Sequence, residues 1–377
     1  MSPRSGRIAV VTPWDVSSPR SWSGVIVPML TALRDEMGEV EVIDVPSDVA
    51  IADRVRARAL GMRGALHLSS WSPPTARRRS RAVAQRLEEL PSSVPVVALA
   101  ATPELLAVPR GRRIVQVTDS SFAALTRSYP AYARLTDRGR RVAEDLERRI
   151  AGRTEHFLVA TAWSADRLVV DVRVPEDTVT VARFGPAIAP VRPVGGKPPH
   201  DGRPLRLLLV ASDWERKGGD LALEIVHELR TRGLRTTLTV VGARGRPLPA
   251  EVTHLERLEP QELSGVYATH DALLEPSRAS AGGVVVTDAL HHGLPVIASA
   301  LGGLTDLVVD GVTGWLVPFD GTASPFVSAM ETRVVTSDLP AMSRQAADWA
   351  MREASWPMWA RAVRDALERG PHRPHGG

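Results

Sequence analysis

Short apolar runs alternate with amphipathic segments along most of the chain. A helical pattern passes through Val27, Leu30 and Leu33, and similar segments separate several of the apolar runs. This alternation predicts a parallel sheet with helices on both faces. In the first half of the chain the predicted strands are residues 7–12, 40–45, 65–68, 94–98, 113–117, 156–160 and 178–182.

A stretch rich in proline and glycine interrupts this pattern, and we interpret residues 190–203 as an interdomain linker. The sequence therefore predicts an α/β protein with two Rossmann-like, doubly wound domains facing a cleft, residues 1–189 and 204–340, followed by a helical segment and tail at 341–377. In such sheets ligands bind at the carboxyl ends of the strands. Beyond the linker the predicted strands are residues 205–210, 236–241, 272–275 and 296–299, and the predicted helices are 220–231 and 284–292.

Composition narrows the class of protein. A length of 377 residues with 44% hydrophobic residues is enough for two cores. The chain has no cysteine, which excludes disulfides, thiolate metal sites and cysteine nucleophiles and fits a cytoplasmic location. The apolar runs are far shorter than the roughly 20 residues of a membrane helix. We therefore expect a cytoplasmic enzyme or binding protein without a transmembrane segment.

The charge balance adds one useful detail. A net charge of +4 is too small to indicate a nucleic-acid partner. Lysine occurs only at Lys197 and Lys217, and the other 45 of the 47 basic residues are arginine. The position of each lysine is therefore informative.

The most informative stretch runs from Glu275 to Ser299. A predicted strand leads into a loop with Gly282 and Gly283, and a helix follows directly. The free N–H groups and positive dipole at a helix amino end favour an anion such as a diphosphate. Asp288 lies about one and a half turns into the helix, where its carboxylate can reach a ribose diol. Taken alone, this stretch also fits a plain βαβ crossover.

A second stretch places two cations at the end of a strand. Arg216 and Lys217 follow the strand at 205–210 and precede Gly218 and Gly219. Cations beside an anion site would stabilise the charge that builds up on a departing diphosphate. We expect Lys217→Ala to lower turnover by orders of magnitude without loss of the fold. The alternative is a solvated surface pair.

A third stretch, beginning with Gly302 and Gly303, follows the next strand. In this order and spacing, the three stretches resemble the family-four nucleotide-sugar glycosyltransferases of GT-B fold, over about residues 205–319. The resemblance implies that Arg216 and Lys217 hold the donor diphosphate and act in catalysis. It also implies that Asp288 binds the ribose. The position where the family has a first glutamate is occupied here by Ser280, which is a departure near the donor sugar.

The resemblance implies further donor contacts in the second domain. In the family, backbone groups at the positions of Arg257 and Leu258 contact the nucleobase of the donor. The first turn of the helix that faces the diphosphate includes Val284 and Val285. Gly282 and Gly283 precede that helix start.

In the first domain the resemblance is looser. Gly24 matches a glycine of a loop that meets the donor phosphate. The resemblance implies that Asp119 is a candidate catalytic residue and lines the acceptor side, with Thr118 in place of the histidine that often precedes that aspartate. The family's terminal helix, here beginning near Ser355 and Trp356, crosses back to the first domain.

These features predict a metal-independent, retaining glycosyltransferase that uses a UDP or GDP sugar as donor and a small molecule or glycan as acceptor, with specialised metabolism as the expected setting. The resemblance implies front-face transfer in which the leaving phosphate helps to deprotonate the acceptor. We expect no metal and no cofactor besides the donor, because the sequence has no Asp-x-Asp triplet and no zinc spacing of histidines. A homodimer remains open.

Two other functions remain open. One is a nucleotide-sugar epimerase or hydrolase on the same fold. The other is a non-catalytic sugar-nucleotide binding subunit, which Ser280 and Thr118 would favour.

Overall fold

The structure is a computed structural model that describes residues 6–191, 202–242 and 247–369. The chain divides into two compact units: Met1–Arg183 together with Trp356–Gly377, and Phe184–Ser355. Most of the predicted linker, residues 192–201, and the predicted tail from residue 370 onwards lie outside the described residues.

A six-stranded sheet forms the centre of the first unit. Its strands are β1 Gly6–Thr12, β2 Gly38–Asp44, β3 Val96–Leu99, β4 Ile114–Thr118, β5 His156–Val159 and β6 Val179–Val181. They lie in the order β2-β1-β3-β4-β5-β6, and every neighbouring pair is parallel. The helices between them are α1 Ile26–Met37, α2 Ile51–Gly61, α3 Pro73–Glu88, α4 Phe122–Ser128, α5 Asp137–Ala151 and α6 Ala162–Arg167.

One predicted strand of this unit is wrong. Residues 65–68 do not join the sheet, and Leu66 makes a single isolated bridge to Leu135. The segment connects α2 to α3 and is only partly buried. Its short apolar run faces neighbouring helices. The hydrophobic periodicity of so short a run does not distinguish such a segment from a β-strand.

A second six-stranded parallel sheet forms the other unit. Its strands are β7 Leu205–Ala211, β8 Thr236–Gly242, β9 Thr253–Leu255, β10 Ala272–Glu275, β11 Val296–Ser299 and β12 Gly314–Val317. They lie in the order β12-β11-β10-β7-β8-β9, so the direction of chain progression reverses between β7 and β10. The helices are α7 Gly219–Thr231, α8 Pro260–Thr269, α9 Val284–His291, α10 Leu304–Leu307, α11 Ser324–Ala329 and α12 Leu339–Glu353.

Both faces of this second sheet are covered. Leu207 and Leu209 of β7 pack in one apolar cluster with Ile225 of α7, and Leu208 packs on the opposite face with Val286 of α9. Burial on both sides explains why β7 is a continuous apolar run without alternation.

The predicted terminal helix is two helices, because α12 ends at Glu353 and α13 Trp356–Glu368 begins after Ala354 and Ser355. Although α12 is part of the second unit, α13 is part of the first. Its Trp359 is buried and meets Trp356 edge to face, with ring centroids 5.7 Å apart. The last helix thus returns to the first unit, as the resemblance implied.

Candidate functional site

The loops that follow β7 and β10 lie against each other at the point where the strand order reverses. The backbone N–H of Arg278 donates to the carbonyl of Arg216 at 2.8 Å. The Arg216 guanidinium donates to the carbonyl of Ala279 at 3.1 Å and to the Asp213 carboxylate at 3.0 Å. Arg216 therefore ties its own loop to the loop that leads into α9. Ligands of doubly wound sheets bind at this kind of reversal.

Two glycines allow this close contact. Gly218 has a φ of +68°, and a Cβ there would lie 2.1 Å from the carbonyl oxygen of Pro276. A Cβ on Gly219 would lie 2.2 Å from the ring of Trp214. Gly218 is therefore required by the packing of the two loops, and Gly219 by the packing of Trp214 within the first loop.

The side chain of Lys217 is buried rather than solvated. Only 6% of the residue is exposed, and its Nζ donates to Oε1 of the fully buried Glu275 at 2.6 Å. Burial lowers the pKa of Lys217, and the Glu275 carboxylate opposes that shift. The alternative of a solvated surface pair is wrong for this residue.

Glu275 holds the lysine through one carboxylate oxygen. Ser277 donates its hydroxyl to the same Oε1. The other oxygen, Oε2, is buried and has no hydrogen-bond partner among the described residues. Loss of Lys217 alone would leave a buried, uncompensated carboxylate, which is strongly destabilising. The expectation that Lys217→Ala leaves the fold intact is therefore revised.

The helix α9 presents its amino end at this site. Its N-cap, Gly283, has a φ of +58°, and no side chain caps the first turn. Val284 and Val285 in that turn are partly exposed, and Gly282 is buried in the preceding loop. The uncapped N–H groups can donate hydrogen bonds to an anionic ligand.

Ser280 joins the third glycine stretch to this loop. Its carbonyl accepts the N–H of Gly303 at 2.9 Å, and a Cβ on Gly302 would lie 2.4 Å from the same carbonyl oxygen. The three stretches singled out in the sequence thus meet within one unit. Ser280 is 5% exposed.

Asp288 is the predicted ribose ligand, and the structure places it inside the unit. It is 3% exposed, and its Oδ1 accepts the backbone N–H of Ile188 at 3.0 Å. Burial raises the pKa of Asp288 to about 7, and hydrogen bonds from the backbone of Ile188 and Ala187 partly oppose the shift. The carboxylate is therefore coupled to the segment that enters the second unit.

Two residues of this cluster are absent from the sequence-based site. Glu275 ends an otherwise apolar strand, which is the signal that could have identified a buried partner for Lys217. Tyr267 is fully buried, and its ring stacks on His292 with centroids 4.9 Å apart. Burial raises the pKa of Tyr267, and the charges of Asp288 and Glu275 raise it further. Nothing in the local sequence of Tyr267 indicates this position.

The residues predicted to read the base lie at the end of the edge strand β9. Arg257 is exposed, and Leu258 is partly buried against the apolar cluster that also includes Val285. One strand, β8, separates β9 from β7. Arg257 and Leu258 therefore lie at the carboxyl ends of the strands, as Arg216 and Lys217 do, but two strands away from them.

In the first unit, Gly24 and Asp119 belong to one local arrangement. The indole Nε1 of Trp22 donates to Oδ2 of Asp119 at 2.9 Å. Trp22, Ser23 and Gly24 have φ values of +45°, +59° and +87°. Positive φ at two consecutive residues other than glycine is strained, and such strain persists where surrounding contacts hold it. Asp119 is one of those contacts.

Within residues 6–191, 202–242 and 247–369, no group of three or more histidine, aspartate and glutamate side chains is arranged to hold a metal ion. None of the helices in these ranges has the combination of length and hydropathy that crossing a bilayer requires.

Comparison with known proteins places the second unit in a family. Residues 204–336 match the family model of the glycosyl transferases group 1. This segment is a group 1 glycosyltransferase domain. The match begins just before β7 and ends after α11, so it contains Arg216, Lys217 and the whole of α9. The resemblance drawn from the sequence is confirmed.

Curated relatives agree with this assignment, and solved structures share the fold. The chain is 32% identical over 180 residues to a D-inositol 3-phosphate glycosyltransferase of Corynebacterium jeikeium. The aligned segment covers 43% of this chain and 42% of that protein. A structure of WaaG, a glycosyltransferase involved in lipopolysaccharide biosynthesis, covers 96% of this chain and 100% of its own, with a TM-score of 0.67 and 18% identity. Sucrose-phosphate synthase from Thermosynechococcus elongatus covers 96% of this chain and 98% of its own, with a TM-score of 0.70 and 16% identity.

These matches differ in what they establish. The structural matches extend over nearly the whole chain and confirm the fold class, two Rossmann-like units of the GT-B type. The sequence matches span about two fifths of the length of curated relatives such as the C. jeikeium protein.

Proposed function

We propose that this protein is a metal-independent, retaining glycosyltransferase that takes a sugar from a nucleoside diphosphate sugar, with UDP or GDP as the nucleotide. The observation that carries the proposal is the junction of the Arg216–Lys217 loop with the loop leading into α9, at the strand reversal of a group 1 glycosyltransferase domain. A diphosphate between Arg216 and the α9 amino end would meet positive charge from both sides.

The charge of Lys217 is already paired with the Glu275 carboxylate before a donor binds. A bound diphosphate would compete with Glu275 for the ammonium, and the short contact to Oε1 sets the starting position of Nζ. As the leaving diphosphate gains charge, the interaction with Lys217 strengthens in the transition state, which is the condition for a catalytic effect.

The proposed reaction is a front-face transfer, in which the acceptor hydroxyl approaches the anomeric carbon from the side on which the diphosphate leaves, so the anomeric configuration is retained. An acceptor hydroxyl oxygen bonds to the anomeric carbon while the bond from that carbon to the diphosphate oxygen breaks. The nucleoside diphosphate leaves with the bonding electron pair, and the hydroxyl proton passes to a departing phosphate oxygen. This route requires no carboxylate nucleophile, so Ser280 in place of a glutamate is compatible with transfer. Asp288 would hold the ribose, and Asp119 would line the acceptor side.

A binding subunit without activity is the second candidate, and Ser280 favours it, because the family's carboxylate near the donor sugar is missing. The experiment that separates the candidates incubates the protein with UDP and GDP sugars, with and without a panel of acceptors. Nuclear magnetic resonance then reports the anomeric configuration. A retained anomer formed only with acceptor is the expected result. Conversion of the donor without acceptor would indicate an epimerase or hydrolase, and binding without any product would indicate a binding subunit.

A further inference from the structure

A cavity of about 350 Å³ lies in the first unit, among α2, residues 66–72 and the start of α5. Its lining contains none of the residues of the candidate functional site, and its volume is within the range of small-molecule sites. Ser72 and Thr136, the N-cap residues of α3 and α5, line it. Because these helices lead directly into β3 and β5 of a parallel sheet, their amino ends lie at its carboxyl edge, where ligands of such sheets bind.

The walls of the cavity are mainly apolar. They are formed by Leu60, Leu68, Trp71, Leu135 and Val142. A free sugar would leave its hydroxyl groups without partners against such walls, which is unfavourable. A compact apolar skeleton, such as an aromatic ring system, would instead bury its surface favourably.

Two arginines border the cavity. Arg56 of α2 and Arg138 of α5 both line it and are exposed, and neither forms an ion pair with any residue in the described ranges. The amino ends of α3 and α5, at Ser72 and Thr136, also border the cavity and contribute positive dipole ends. The positive charge is therefore available to an anionic group on a ligand.

The cavity also contains a polarised histidine. Nε2 of His67 lies 3.0 Å from Oδ1 of the buried Asp53, which also accepts hydrogen bonds from Ser72 and Thr75. Burial alone would raise the pKa of Asp53, but these hydrogen bonds outweigh it and lower the pKa, so the carboxylate is charged. A carboxylate only accepts, so Nε2 carries the hydrogen. Nδ1 of His67 has no hydrogen-bond partner among the described residues, and in the neutral ring it can accept a hydrogen bond from a ligand hydroxyl.

We propose that this cavity binds a small, mostly apolar hydroxy acid, with its ring system between the leucines and Trp71, its carboxylate at Arg56 and Arg138, and its hydroxyl at Nδ1 of His67. The assignment of this molecule as the sugar acceptor rests on the proposed function.

Isothermal titration with three related probes tests the proposal. The probes are 6-hydroxy-2-naphthoate, 2-naphthoate without the hydroxyl, and 2-naphthol without the carboxylate. We expect 6-hydroxy-2-naphthoate to bind most tightly, because it alone offers both a carboxylate to the arginines and a hydroxyl to His67. Absence of saturable binding by this probe would overturn the proposal.

Matched variants locate the bound probe. Arg138→Gln should weaken binding of both naphthoates about three- to fivefold and leave 2-naphthol unchanged. Arg141→Gln, an exposed arginine of α5 that does not line the cavity, is the control and should change none of the three. His67→Gln should remove the preference for the hydroxylated naphthoate. Equal effects of Arg138→Gln and Arg141→Gln on binding would contradict the assignment. Both substitutions replace exposed side chains, so neither is expected to disturb the hydrophobic core.

Parallel thermal-shift measurements with UDP and GDP distinguish this proposal from the proposed function, because the proposed nucleotide site lies in the second unit and the cavity lies in the first. Nucleotide binding without naphthoate binding would reject the cavity and leave the transferase proposal standing. Naphthoate binding without any nucleotide effect would support the ligand site and reject its role as an acceptor site.

Discussion

Lys217 and Glu275 have both a structural and a proposed chemical role. Each is buried, and each compensates the charge of the other. Measurements on a single variant would therefore mix loss of stability with loss of function. The local sequence indicated the cation at position 217, but its partner 58 residues further along depends on the adjacency of β7 and β10. Such a long-range pairing is not encoded in local pattern.

A double substitution separates the two roles. Lys217→Met alone should destabilise the protein by about 3–5 kcal/mol, because the Glu275 carboxylate stays buried without its counter-charge. Adding Glu275→Gln should restore most of that stability, as measured by urea unfolding, while sugar transfer stays lower by orders of magnitude. If the double variant recovers transfer together with stability, Lys217 has only a structural role.

Asp288 predicts a pH dependence of stability. Its pKa is about 7 in the folded protein, compared with 3.8 ordinarily. Between these pH values the folded state keeps a proton that the unfolded chain has released, so the contribution is full below pH 3.8 and is lost as the pH rises to about 7. Relative to Asp288→Asn, which stays neutral, the wild-type unfolding free energy should fall by about 4 kcal/mol over this interval. Parallel stability curves for the two proteins between pH 4 and 7 would refute the shift.

At the scale of elements, the strand-loop-helix units carry the site. The apolar runs of β7, β10 and β11 were predicted from sequence, because strands buried on both faces contain few polar residues. The edge strands β9 and β12 were not predicted, since β9 has only three residues, two of them polar, and β12 begins with a glycine in a stretch of turn-forming residues. The sequence also indicated Gly218 as a loop residue, whereas the carbonyl that it contacts became visible only in the structure.

Two glycines with positive φ provide a matched test of loop packing. Gly233→Ala, at φ +89° with no atom within 4 Å of the new Cβ, should cost only the strain of a left-handed alanine, about 1–2 kcal/mol. Gly218→Ala, at φ +68°, adds a clash with the Pro276 carbonyl and should be more destabilising by urea unfolding and weaken nucleotide binding. Equal effects of the two substitutions would mean that the loops after β7 and β10 can separate freely.

At the scale of the whole molecule, the two units follow related plans with different strand orders. The first has the order β2-β1-β3-β4-β5-β6 and reverses between β1 and β3, and the second has the order β12-β11-β10-β7-β8-β9 and reverses between β7 and β10. The doubly wound class followed from the repeated alternation along the chain. The return of α13 to the first unit came only from the family resemblance, because the amphipathic pattern of residues 356–368 does not specify which unit covers its apolar face.

Calorimetric titration of the full chain with UDP and GDP tests the central claim most directly. We predict saturable binding of one of these nucleotides, reduced about tenfold or more by Arg216→Gln, because a charged donor to the diphosphate is lost. Arg232→Gln, which removes an exposed arginine after the carboxyl end of α7, should bind like the wild type. Failure of both nucleotides to bind, or equal affinity of the Arg216 and Arg232 variants, would contradict a diphosphate site at the junction of these loops.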